Sequence, residues 1–146
     1  MNNKSYEIIL AKVKGNSLEP KKIMDEKDAY EYAKNFYFDD IGIYESFFII
    51  CLNRANVAIG WSKISQGGTC GAYIDIKIIA KIAIDSLAQA VILVHNHPSG
   101  SLTPSKEDDN ITKRISEALK LFDIKVLEHL IISEDNFYSY CKNGRL

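Results

Sequence analysis

Two histidines two residues apart, His95 and His97, and an aspartate eleven residues further on, Asp108, are the side chains of this sequence most suited to binding a metal together. The apolar run Ala90 to Val94 leads into the pair and predicts a strand. Alternate strand residues share a face, so the two imidazoles should lie side by side. The linking segment begins at Pro98 and ends at Pro104, with Gly100 between them. Proline sets φ and glycine admits positive φ, so the chain can double back sharply there. Ser105 and Asp108 then fall in the first turn of a helix. Two nitrogens and a carboxylate converging from a strand end and a helix start make a three-ligand Zn²⁺ site with the fourth position left to water, the pattern of a catalytic rather than a structural zinc. The predicted chemistry is hydrolysis.

Each residue also has a plainer reading. His95 and His97 could be hydrogen-bonding histidines at a strand edge. Ser105-Lys106-Glu107-Asp108 resembles a capping box, and acids favour a helix N-terminus, so Asp108 can cap and ligate with different oxygens. Asp109 is turned about 100° from Asp108 on a helix and is expected to face solvent or bond nearby. Ser105 is a favoured N-cap, and its hydroxyl could alternatively face an oxyanion above the metal. Asn96 and Ser99 are expected to shape the loop. A zinc hydrolase also needs a proton acceptor. Glu45, at the start of an apolar run, is the leading candidate, against a solvent-facing strand-end acid; Glu107 and Glu128 compete with it. His129, within the apolar stretch Val126 to Ile132, reads as a hydrogen-bonded core histidine rather than a fourth ligand.

The elements that must position these groups follow from periodicity. Tyr6 to Lys14 alternates and predicts a strand, followed by a Gly15-Asn16 turn. Asp25 should cap a helix to about Phe36, with Ala29, Tyr32, Ala33 and Phe36 inward. After the break Asp39 to Gly42, Glu45 to Leu52 is too continuously apolar for a surface strand. Asn53 to Asn56 turns into a strand from Val57 to Ser65, and Gln66 to Thr69 is a loop. Asp75 should cap a helix through about Leu87, with Ile78, Ile79, Ile82 and Ala83 inward. A strand from Ala90 to Asn96 follows. A third helix opening at Ser105 has Ile111, Ile115, Ala118, Leu119 and Phe122 on its apolar stripe. Strands from Lys125 to Ser133 and Phe137 to Tyr140 close the chain. This is an α/β domain of α+β layered type.

At 146 residues the chain predicts a single domain over residues 1–146, with a core over about 25–146 and an N-terminal strand and connection over 1–24. A net charge of −1 argues against a strongly basic nucleic-acid footprint and leaves a local basic face open. Cys51, Cys70 and Cys141 show no CxxC pairing and predict buried thiols in a reducing compartment. The N-terminus lacks an apolar signal core and no run is long enough to span a membrane, so a cytoplasmic location is expected.

The spacing His-x-His, seven residues, Ser, two residues, Asp resembles the JAMM (MPN-domain) metalloprotease motif in full. The local wording HNHPSG and PSxxD with Ile111-Thr112 after it is similar to the RadC-like branch of that family. So are Glu45 to Arg54, Ser65-Gln66-Gly67-Gly68, and Val126 to Ile132. The resemblance covers about Asp25 to Leu146. It implies a curved mixed β-sheet flanked by helices, related to the cytidine-deaminase-like fold. It implies Zn²⁺ on His95, His97 and Asp108, Glu45 as general acid/base, and Ser105 stabilising an oxyanion. Full-length RadC-type proteins usually carry a helix-hairpin-helix region, for which residues 1–24 leave no room. Many relatives have Asp-His where this chain has Glu128-His129.

The leading expectation is a zinc peptidase or isopeptidase acting on a peptide or protein-conjugate substrate. The alternative is a DNA-repair or mobile-element accessory protein of the RadC type, which the charge does not support. A noncatalytic scaffold ranks last because every ligand position is filled. The HxE and PCxxC elements of a nucleoside deaminase are absent, as is the HExxH pattern. The loop Ser65 to Tyr73 is the expected substrate-facing element. Oligomeric state is open, with the strand Tyr6 to Lys14 offering an edge for a dimer.

Overall fold

The apolar runs Ser46–Leu52 and Ala90–Asn96 are buried along their whole length, the pattern of strands covered on both faces. The computed structural model describes residues 18–37, 40–68 and 73–146. The expected strand Tyr6 to Lys14 and its turn lie outside the described residues, as do Asp39, Thr69 and Cys70. Among the described residues the elements run α1 (Glu26–Ala33), β1 (Ser46–Leu52), β2 (Ala58–Gln66), α2 (Ile76–Asp85), β3 (Ala90–Asn96), α3 (Lys106–Lys120), β4 (Lys125–Ile132) and β5 (Phe137–Ser139). They form a mixed, open five-stranded sheet in the order β2-β1-β3-β4-β5, with three helices, an α+β arrangement as expected.

β1 is antiparallel to both β2 and β3, and β5 is antiparallel to β4. Only the β3/β4 pair is parallel, because α3 carries the chain back across the sheet between them. That crossover brings the C-terminal end of β3, with its histidines, to the N-terminus of α3.

Strand alternation then divides the core in two. Phe48, Ile50, Leu52, Ile92, Val94, Leu130 and Ile132 pack with Tyr30, Tyr32, Ala33 and Phe36 on the α1 side. Phe47, Ile49, Val91 and Leu93 pack with Ile79, Ala83, Ile115 and Leu119 on the side of α2 and α3. His95 continues the second row and Asn96 the first. Their functions are therefore separated by the pleat.

Two expected inward residues are not inward. Ile78 is 44% exposed because α2 turns Ile79 and Ala83, four apart, onto the sheet and leaves its neighbour to the side. Phe122 is 54% exposed because α3 has ended; the chain reverses at Asp123 with φ 57°, and Ile124 donates to the Leu119 carbonyl. Likewise Cys51 is buried but Cys141 is exposed. Among the described residues no helix is long and apolar enough to cross a membrane.

Candidate metal centre

The turn after β3 sets the orientation of His97. Gly100 has φ 77° and donates to the His97 carbonyl at 2.8 Å, which folds the Pro98-Ser99 turn back on itself. The Ser101 carbonyl then lies 2.9 Å from His97 Nδ1. A carbonyl only accepts, so Nδ1 carries the proton and Nε2 presents a lone pair. That Nε2 is 3.0 Å from His95 Nε2 and 3.1 Å from Asp108 Oδ2, while His95 Nε2 is 3.2 Å from Asp108 Oδ1.

Asp108 reaches this position from the first turn of α3. The Ser105 backbone N–H donates to Asp108 Oδ2 at 2.8 Å, and the Asp108 N–H donates to Ser105 Oγ at 3.0 Å, a complete capping box. The cap and the approach to the histidines coexist on one carboxylate. Burial acts to raise the Asp108 carboxyl, but the two histidines beside it, whose protonated forms its charge would favour, and the hydrogen bond from the Ser105 backbone hold it well below the usual carboxylate range. Asp108, which would accept a hydrogen bond from the protonated ring, in turn raises His97 above the ordinary imidazole value, against the opposing effect of burial. Asp109 points elsewhere and pairs with Arg145 at 2.6 Å.

Glu45 precedes β1 rather than opening it. Its Oε1 stands 4.0 Å from His97 Nε2. Glu45, His95 and His97 could hold a metal ion, with donor atoms all within 4.8 Å of one another. His95, His97 and Asp108 form a tighter set, with separations of 3.0–3.2 Å. The two Asp108 oxygens divide between the histidines, Oδ1 toward His95 and Oδ2 toward His97, so the carboxylate lies against both imidazoles, and two nitrogens with a carboxylate are a donor set that could hold a divalent ion. Glu45 stands one step back from it.

The placement of Glu45 depends on Asn96, the residue between the histidines. Asn96 Nδ2 donates to the carbonyls of Ile41 (2.6 Å) and Tyr44 (2.8 Å), and its Oδ1 accepts from Ser46 N–H (2.9 Å). Asn96 therefore shapes the loop that carries Glu45, far away in the chain, rather than its own. The Glu45 carbonyl also accepts from Gly67 N–H at 2.8 Å.

A cleft of about 760 Å³ opens over this centre, with Phe47, Tyr73, Ile74, Glu107, Ile111 and Arg114 in its walls. Tyr73 thus brings the end of the expected substrate-facing loop to the site. Of the competing acids, Glu107 lines the cleft, whereas Glu128 is buried and accepts from Ser139 Oγ and from the backbone of His129 and Cys141. His129 is a core histidine as expected. Burial holds it well below the ordinary imidazole value, and its Nε2 lies 2.7 Å from His95 Nδ1. Phe47, Arg114 and Thr112 were not expected at the site. Thr112, four residues after Asp108, had a signal in that helical spacing.

Residues 23–145 match the family model described as RadC-like JAB domain. The chain belongs to the RadC-like JAB domain family. This RadC-like JAB domain is similar to a UPF0758 protein of Flavobacterium johnsoniae, 39% identical over 129 residues, covering 87% of this chain and 55% of the relative. A UPF0758 protein of Porphyromonas gingivalis is 34% identical over 125 residues, covering 85% and 54%. The UPF0758 protein YfjY of Escherichia coli strain K12 is 39% identical over 102 residues, covering 70% and 64%. The chain spans about half the length of the first two relatives.

Proposed function

We propose that this domain is a zinc-dependent hydrolase of peptide or isopeptide bonds. The observation that carries the reading is the convergence of His95 Nε2, His97 Nε2 and an Asp108 carboxylate within 3.0–3.2 Å, with a second carboxylate, Glu45, 4.0 Å from His97 and facing the same cleft. Two imidazoles and one carboxylate are a donor set that suits zinc. His95, His97 and Asp108 would hold Zn²⁺, which when bound acidifies water and polarises a carbonyl. Glu45 takes a proton from the attacking water and returns it to the leaving nitrogen. Its place outside the tight triad suits a group that handles protons rather than one that ligates. Ser105 accepts the Asp108 N–H with its oxygen, and its hydroxyl proton meets no acceptor among the described residues, so it is free to donate to a developing oxyanion.

The test compares metal content and turnover. Glu45→Gln should keep wild-type zinc while hydrolysis falls by at least about 100-fold. Asp108→Ala should lose the metal and Asp109→Ala should keep it. Equal zinc in Asp108→Ala and wild type would sink the ligand set. Glu45→Gln also serves as a trap in cell extract: a recovered peptide or conjugate supports the reading, and enrichment of nucleic acid alone overturns it.

A further inference from the structure

We propose that His129 is a positioning residue that dictates which nitrogen of His95 is free to bind a metal, through a hydrogen-bond chain that starts from the Asp108 backbone. The inference rests on reading His95 and Asp108 as ligands. It begins at an atom with no choice of role. The Asp108 carbonyl oxygen only accepts, and Thr112 Oγ1 lies 2.6 Å from it, so the threonine hydroxyl donates there. That hydroxyl has one proton. Toward His129 Nδ1, also 2.6 Å away, Oγ1 can therefore only accept, and Nδ1 must carry hydrogen. A neutral imidazole with its proton on Nδ1 has a bare Nε2. This bare nitrogen lies 2.7 Å from His95 Nδ1, which must donate to it. Neutral His95 then has its lone pair on Nε2, the atom facing His97 and Asp108.

Every proton in the chain is thus assigned from one backbone carbonyl, and the chain joins the two ligands from behind. His129 is not a ligand in this arrangement, because its Nε2 is occupied by His95. The surroundings leave it little freedom. His129 and Thr112 are 0% and 2% exposed. Tyr140 stacks on the His129 ring at 4.6 Å, and Phe47 meets it edge-on at 5.6 Å while stacking on His95 at 5.8 Å. A threonine bonding back to the carbonyl four residues earlier is common in helices and by itself means little. Here the same oxygen also reads the histidine. Partners of this kind fix the tautomer and orientation of a metal-binding imidazole.

The test uses the full chain with Zn²⁺ and Co²⁺ as probes, affinity being read by competition with a chelating dye and folding by circular dichroism. Thr112→Val, which keeps shape and removes the acceptor, should weaken metal binding by about 10- to 100-fold with unchanged secondary structure. Thr112→Ser should restore it. His129→Gln, whose amide oxygen can accept from His95, should bind more tightly than His129→Leu. Long-range proton–nitrogen spectra of the metal-free wild type should place the His129 proton on Nδ1. Wild-type affinity in Thr112→Val, or a His129 proton on Nε2, would overturn the proposal. If wild-type protein takes up neither metal, the metal reading itself fails, and the spectra still decide whether the chain of protons exists.

Discussion

On the proposed reading Ser105 would perform two tasks with one hydroxyl, capping α3 and donating to an oxyanion, and substitutions can separate them. The oxygen caps α3 by accepting from Asp108 N–H, and the residue lines the cleft. Ser105→Ala should lower stability by about 1 kcal/mol and also reduce turnover. Ser105→Asp keeps a capping acceptor but has no hydroxyl proton, so stability should recover and turnover should not. Ser105→Thr should retain both. Thermal melts alongside a hydrolysis assay check the series, and full activity in Ser105→Asp would confine this residue to the cap. At this scale the sequence was most readable. Helix rotation alone separates Asp108, which meets both histidines, from Asp109, which meets Arg145. Thr112 entered only through the family wording, because its helical spacing from Asp108 discloses no role until its neighbour across the sheet, His129, is known.

Asn96 works at the scale of elements, since its amide ties the end of β3 to the loop before β1. Asn96→Ala would leave the Ser46 N–H and the Ile41 and Tyr44 carbonyls without their partner. Each buried unsatisfied group costs about 1–3 kcal/mol, so a loss of about 3 kcal/mol in chemical denaturation is expected. Because Glu45 sits on that loop, turnover should fall further than the stability loss explains, while zinc content stays near wild type. A variant that is less stable but fully active under folding conditions would show that the loop holds Glu45 without Asn96. The elements themselves were legible: both capping aspartates, Asp25 and Asp75, and the buried strands Ser46–Leu52 and Ala90–Asn96 stand where propensity and pattern put them. The exceptions, Ile78 and Phe122, lie where an apolar residue falls beside a helix stripe or beyond a helix end.

For the whole molecule, the metal reading predicts a coupling between ion binding and stability. The triad joins β3 to α3, so an ion held there favours only the folded chain. Zinc at 100 times its dissociation constant should stabilise the protein by about 2.7 kcal/mol, or roughly 10 °C in melting temperature. A chelator should reverse the shift, and Asp108→Ala should show none. A wild-type melt indifferent to zinc would contradict the coupling.

The sequence by itself determined what is local: two imidazoles on one strand end, a sharp turn, a capped helix beginning with a carboxylate, and the motif that marks the family. These follow from a side-chain period of two, proline and glycine backbone limits, and helix capping, all encoded within a few residues. Tertiary structure decided what surrounds them. The register Phe47↔His95 brings the β1 end, and hence Glu45, beside His97, and the register Leu93↔His129 sets His129 behind His95. Both registers join residues far apart in the chain. They are chosen by how the two faces of the sheet pack against α1 and against α2 with α3, a global fit that no short stretch of sequence contains.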